Sequence, residues 1–156
     1  MEELIGIPCE VIRRGNLEMV INADEIREIL KEYFQKHPEI EVAYVFGSVV
    51  QERTTIFSDI DIAVILDSER VDEKSYRYGY KAEILTDLIK VLKTNNVDLV
   101  ILNEANSLLR HRVLYFGNLV YCKNEKKRLQ FQIDTINKYN DFKQLMKSHL
   151  VTGGRK

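Results

Sequence analysis

The most regular hydrophobic pattern in the chain lies at residues 23–36, where apolar side chains recur at spacings of three and four. This spacing places them on one stripe of an α-helix. Asn22 and Glu25 have the spacing of a capping box, and Pro38 ends the helix because a residue before proline avoids helical angles. The stripe consists of Ile26, Ile29, Leu30, Tyr33 and Phe34.

Three apolar runs, at residues 41–46, 59–66 and 97–102, predict β-strands in the interior of a sheet. The second run follows the first too closely for a full helical crossover. These two strands are therefore either antiparallel or joined by one helical turn, and the sheet is mixed. The remaining predicted elements are helices at residues 75–93, 104–115 and 124–148 and a short strand at residues 119–122.

The ends of the later helices carry local signals. Asn103 is placed to cap the helix at residues 104–115, and Gly117 is placed to terminate it. Gly79 weakens the first part of the helix at residues 75–93. The basic run at residues 126–128 is interpreted as a solvated helix start.

The length of 156 residues predicts one domain over residues 1–150, with an α/β or α+β fold. Its catalytic core is expected at residues 22–122 and its long final helix at residues 124–148. Residues 151–156 are expected to form a frayed tail.

Composition and charge remove several functional classes. The formal net charge of −1 gives no basic footprint for nonspecific nucleic-acid binding. Cys9 and Cys122 lie far apart, which indicates two reduced thiols in a cytosolic protein. The first residues do not form a signal peptide, and no apolar run is long enough to span a membrane.

Two aspartates in the second strand introduce a chemical function. Asp59 and Asp61 share one face because side chains alternate along a strand. Two ionised carboxylates held this closely repel, and a divalent cation offsets their repulsion. Oxygen ligands favour Mg²⁺ when phosphates are present. Asp98 begins the third strand and becomes a third ligand if the second and third strands are neighbours, an arrangement suited to attack at phosphorus.

Gly47-Ser48 follows the first strand, and ten residues separate it from Asp59. Glycine allows the backbone to approach a phosphate, and a hydroxyl group adds a donor. Gly-Ser alone is usually a turn, and Asp-x-Asp alone is usually a solvated strand edge. Their order and spacing are what indicate a site for a metal-bound nucleoside triphosphate.

These residues resemble the signature of the DNA polymerase β-like nucleotidyltransferase superfamily. Within it, the run at residues 97–102 and the segment at residues 103–121 are similar to the minimal nucleotidyltransferases. Proteins of that kind serve as antitoxins of HEPN-family toxins. The resemblance covers residues 22–145 and implies the nucleotidyltransferase fold.

The resemblance also implies roles for individual residues. Asp59 and Asp61 would hold two Mg²⁺ ions, and Asp98 would bind the catalytic metal and help to activate the attacking hydroxyl group. Gly47 and Ser48 would bind the β- and γ-phosphates. ATP would be the donor, and AMP would pass to a tyrosine of the partner toxin.

The sequence departs from the family pattern after Gly-Ser. Gln51-Glu52 stands where the family usually has Arg-Gly. Either Arg53 supplies the cation from a shifted position, or phosphate is bound less well. This departure keeps a second hypothesis open, that of an antitoxin that only binds its toxin.

The final helix bears on two further hypotheses. An aminoglycoside-type nucleotidyltransferase would need an added substrate domain, for which this helix is too little. The helix is also a candidate surface for the assembly of homo- or hetero-oligomers. Before it in the chain, Arg110 and His111 are equally well explained as contacts to a partner or nucleotide and as an exposed helix face.

Overall fold

The computed structural model describes residues 23–47, 59–72 and 79–152. They form four helices and one four-stranded sheet, and the order of strands in the sheet is β3-β2-β1-β4. The elements are α1 (Ala23–Gln35), β1 (Ile40–Phe46), β2 (Ile60–Leu66), α2 (Tyr80–Leu92), β3 (Val97–Ile101), α3 (Ser107–Phe116), β4 (Asn118–Cys122) and α4 (Glu125–Thr152).

The sheet is mixed, as predicted. β1 is antiparallel to both β2 and β4, whereas β2 and β3 are parallel. β1 and β2 are therefore antiparallel neighbours, the first of the two arrangements that the sequence leaves open, whereas the predicted helical turn between them falls on residues 48–58, outside the described residues. The parallel pair β2 and β3 is connected through α2, the kind of crossover that parallel strands require.

Two hydrophobic clusters cover the two faces of the sheet. One face packs against α1 and α2, whose buried side chains include Leu30, Phe34, Leu88 and Leu92. The other face packs against α3 and α4 through a smaller cluster that includes Tyr44, Ala63 and Val113. Both faces of β1 and β2 are covered, which explains why these strands are almost uniformly apolar.

Two helix starts differ from the prediction. Gly79 is the N-cap of α2 with φ of 87°, so a single helix over residues 75–93 is wrong at this position. α3 is capped by Asn106, whose side chain accepts a hydrogen bond from the amide of Leu109. Asn103 instead bonds through its side chain to both backbone groups of Leu66, the last residue of β2, at 2.8 and 2.9 Å.

The start of α4 lies at the surface, and one lysine of its basic run also pairs with acidic groups of the sheet and of the turn after β2. Lys127 contacts the buried carboxylate of Glu41 at 2.9 Å and Asp67 at 3.0 Å. Arg128 pairs with Glu125 on the same helix. Gly117 ends α3 as predicted, since its amide donates to the carbonyl group of Val113.

The remaining predictions have mixed outcomes. Cys122 is a free thiol, whereas Cys9 and the cap residue Asn22 lie outside the described residues. Among the helices that the structure describes, none is long and apolar enough to cross a bilayer. The single-domain division and the frayed tail stay predictions.

Candidate active site

Pairing between strands brings two of the predicted site residues together at one end of the sheet. Asp61 is the register partner of Asp98 across the parallel pair β2 and β3. On its other side, Asp61 is the partner of Phe46, the last residue of β1. The neighbouring strands that a site of three carboxylates requires are therefore present, and the two carboxylates lie on the same face of the sheet.

The third carboxylate directly precedes β2. Asp59 is exposed, as is Asp98, whereas Asp61 is half-buried. A backbone hydrogen bond of 2.8 Å from the amide of Ile60 to the carbonyl oxygen of Asn96 joins the start of β2 to the turn before β3. This contact, which sequence reasoning missed, keeps the Asp59 segment beside the start of β3. Its only sequence signal is the Asn-Asn pair in that turn.

The carboxylates influence one another electrostatically. Burial raises the pKa of Asp61, and the charges of Asp98 and Asp59 raise it further. Ionisation of Asp61 is therefore less favourable than that of a free aspartate, because its carboxylate is partly dehydrated and faces two like charges. No cation in the described part of the chain is among the causes that shift its pKa. The field favours binding of an external cation.

The donor set fits Mg²⁺ in part. All three candidate ligands are carboxylates, the donors that a hard cation prefers. Within residues 23–47, 59–72 and 79–152, no three acidic, histidine or cysteine side chains are close enough to hold one ion by themselves. Mg²⁺ is usually held by one or two carboxylates together with substrate phosphates and water. The arrangement fits an ion that arrives with a nucleotide better than a permanently enclosed metal.

Gly47 directly follows β1 and has φ of 76°, a backbone conformation that favours glycine. It lies against the carboxylate of Asp61. The glycine predicted for phosphate binding thus stands beside the aspartates predicted for metal binding. Ser48, Arg53 and the Gln51-Glu52 pair lie outside the described residues, so their predicted roles stay predictions.

Arg110 and His111 join α3 to α4. The guanidinium of Arg110 lies 5.1 Å from the ring centre of Phe131 and 3.9 Å from Asp134. The ring of His111 stacks on Tyr139 with 3.9 Å between ring centres. These contacts explain both residues by packing between helices, which is neither of the two explanations that the sequence left open.

Residues 28–126 match the family model described as polymerase beta, nucleotidyltransferase. The chain belongs to this family. It is therefore a nucleotidyltransferase, and the family match spans all three carboxylates and Gly47. The fold expected from the resemblance is confirmed.

Two relatives are known by their activity or their assembly. The chain is 25% identical over 129 residues to the protein adenylyltransferase MntA of Aphanizomenon flos-aquae. The match covers 81% of this chain and 86% of the relative. This chain is also 25% identical to a chain in a crystal structure of a toxin–antitoxin complex with AMP-PNP. That match has a TM-score of 0.63 and covers 86% of this chain and 99% of the other.

A third comparison bears on the fold alone. It is a chain from the tri-AMPylated Shewanella oneidensis HEPN toxin in complex with MNT antitoxin. The identity is 24% and the TM-score 0.58, with 86% of this chain and 97% of the other covered. Most of this nucleotidyltransferase therefore has the fold of a chain known from such a complex.

Proposed function

We propose that this nucleotidyltransferase transfers AMP from ATP to a tyrosine hydroxyl group of a partner HEPN-family toxin, and so acts as an antitoxin. The observation that carries the proposal is the position of Asp61, which is paired with Asp98 and lies against Gly47 at the end of β1. The adenylyltransferase relative and the complex with AMP-PNP support ATP as the donor.

In the proposed reaction, the tyrosine oxygen attacks the α-phosphorus of ATP. The bond from that phosphorus to the bridging oxygen breaks, and pyrophosphate leaves. Asp98, which is exposed at the start of β3, would accept the hydroxyl proton. Mg²⁺, when bound, supplies the positive charge that stabilises the attacking and leaving oxygens. Asp59 and Asp61 are the residues that would hold it.

The phosphate side of the proposed site consists of Gly47, Ser48 and Arg53. Gly47 has the backbone conformation for a close approach by phosphate. Ser48 and Arg53 would add a hydroxyl donor and a cation. The reaction is proposed for the cytoplasm, where ATP is abundant and the free thiol of Cys122 would stay reduced.

The test uses the purified chain, its cognate toxin, Mg²⁺ and ATP labelled at the α-phosphate. Asp61→Asn is expected to reduce transfer of label on the order of 10³-fold, because a loss of several kcal/mol of charge stabilisation has that effect. Asp87→Asn is the matched control, since Asp87 lies on α2 at the opposite face of the sheet, where it pairs with Lys90. Full transfer by Asp61→Asn would sink the proposal.

A second function is favoured by one observation in the sequence. Gln51-Glu52 replaces the Arg-Gly pair that the family usually places after Gly-Ser. An antitoxin with weak phosphate binding would neutralise the toxin by binding alone. The labelling assay separates the two functions, because a binding-only antitoxin leaves no label on the toxin. In addition, Asp61→Asn of a binding-only antitoxin would still protect cells that express the toxin.

A further inference from the structure

Gly47 occupies a position at which any side chain would overlap the carboxylate of Asp61. A Cβ atom built on Gly47 would collide with Oδ2 of Asp61 and stand 3.1 Å from its Cγ. The distance to the Cβ of Asp61 would be 3.5 Å, an ordinary contact. The overlap therefore concerns the carboxylate group alone, which fills the space that a side chain at residue 47 would take.

This contact follows from the register of the strands. Phe46 at the end of β1 is opposite Asp61, so the next residue along the chain passes beside the Asp61 side chain. The three nearest atoms that a Cβ at residue 47 would meet all belong to Asp61. The contact joins the residue expected to bind phosphate to the residue expected to bind metal.

We propose that Gly47 is a positioning residue for Asp61, in addition to any role in phosphate binding. By lacking a side chain, it allows the Asp61 carboxylate to lie against the end of β1 while it stays within the field of Asp98 and Asp59. A side chain at residue 47 displaces the carboxylate and weakens metal binding directly. The metal part of this inference rests on the proposed function.

Backbone strain alone is a competing explanation for glycine at this position. A φ of 76° is unfavourable for alanine whatever surrounds it. The two effects are separable because strain belongs to residue 47, whereas the overlap requires the carboxylate of Asp61. Removing that carboxylate must therefore relieve the part of the stability loss that the overlap causes in Gly47→Ala. The part that backbone strain causes must stay unchanged.

A double-mutant cycle on stability tests the contact without metal or nucleotide. Urea unfolding midpoints are measured in a chelator for the wild type, Gly47→Ala, Asp61→Ala and the double variant. Gly47→Ala is expected to lower the urea midpoint in both backgrounds. We expect the decrease in the Asp61→Ala background to be at most half of the decrease in the wild-type background. Equal losses in both backgrounds would overturn the inference.

A matched control comes from Gly117, where a Cβ would also collide, in this case with the carbonyl oxygen of Val113. Gly117→Ala is expected to lower the midpoint equally with and without Asp61. If Gly47→Ala alone does not fold, recovery of folding in the double variant supports the inference. Failure of both variants to fold overturns it.

Metal binding provides the second readout. Mn²⁺ is titrated into the protein alone, and the free ion is followed by electron paramagnetic resonance. We expect Gly47→Ala to weaken Mn²⁺ binding at least tenfold and Gly117→Ala to leave it unchanged. Wild-type affinity in Gly47→Ala would overturn the inference and leave the proposed function standing. If the wild type binds no Mn²⁺ alone, the titration is repeated with AMP-PNP present, since the site fits an ion that arrives with a nucleotide. Absence of binding there contradicts the proposed function, and the stability cycle then still decides the contact.

Discussion

Asp61 is the residue at which stability and function oppose each other. Burial and the charges of Asp98 and Asp59 raise its pKa, so ionisation is less favourable in the folded chain than in the unfolded one. The stability that the protonated carboxyl group contributes is complete below its ordinary pKa. It is lost as the pH rises through the raised pKa of the folded state. At neutral pH the metal-free protein therefore bears an electrostatic cost.

Asp61→Asn is expected to stabilise the metal-free protein at neutral pH. The amide keeps the shape of the carboxylate and removes its charge, and solvent screening limits the gain to about 0.5–1 kcal/mol. Thermal unfolding in a chelator should show this gain grow as the pH rises from below the ordinary pKa of aspartate. A variant that is less stable than the wild type at neutral pH would contradict the prediction.

The control for this prediction is the metal itself. Mg²⁺ should raise the melting temperature of the wild type, because a ligand that binds only the folded state stabilises it. Asp61→Asn should show little or no such rise. The two proteins are thus expected to converge in stability as Mg²⁺ is added.

The adjacency of Asp61 and Asp98 was predictable because it depends on local rules and one neighbour relation. Alternation along a strand placed Asp59 and Asp61 on one face, and the assumption of adjacent strands added Asp98. The contact between Gly47 and Asp61 was not predictable in the same way. It depends on the register of β1 against β2, which the local sequence does not specify.

At the scale of elements, a buried carboxylate connects the turn after α1 to the start of α2. Glu39 accepts a hydrogen bond of 3.1 Å from the hydroxyl group of Tyr80 and lies 3.0 Å from Nδ1 of His37. Burial acts to raise the pKa of Glu39, but its backbone hydrogen bond and the contacts with His37 and Tyr80 lower it overall. The ring of Tyr80 packs in the core, and its hydroxyl group adds this polar contact.

Tyr80→Phe is expected to cost about 1–3 kcal/mol of stability, since it removes a hydrogen bond to a buried charged group. The lowered pKa means that ionised Glu39 contributes stability above its ordinary pKa, and this contribution is lost as the pH falls through the folded value. The variant should therefore unfold in acid at a higher pH. The measurements are the urea midpoint at neutral pH and the midpoint of acid unfolding. Tyr115→Phe, at an exposed site on α3, should leave both of these midpoints unchanged.

The element boundaries show where local signals compete. Asn103 and Asn106 are equally good caps by residue type, and the first was predicted. The structure uses Asn106 because the side chain of Asn103 is already bonded to the backbone of Leu66. That bond joins residues 37 positions apart, so no local rule contains it. The hydrophobic periodicity of α1 and the apolar runs of β1 and β2, by contrast, were sufficient to predict those elements.

At the scale of the whole molecule, α4 is longer than the surface that it covers. Phe131, Thr135 and Tyr139 lie on the packed face of its first half, and Thr135 is completely buried. Residues 140–150 are all exposed. The segment from residue 140 to the end of α4 spans about 20 Å. A helix of this length has little stability without packing, so an exposed apolar stripe on it indicates a binding surface.

The stripe continues the packed face of α4 at the same helical spacing. Phe142 and Met146 follow Tyr139 at three and seven residues and are 41% and 48% exposed. Under the proposed function, we expect this surface to bind the toxin. Phe142→Glu with Met146→Glu is therefore expected to abolish co-purification with the toxin, while helix content by circular dichroism stays unchanged. Asn137→Glu with Gln144→Glu adds the same charge to the opposite side of α4 and should bind the toxin normally. Toxin binding that survives the first pair would place the interface elsewhere on the nucleotidyltransferase.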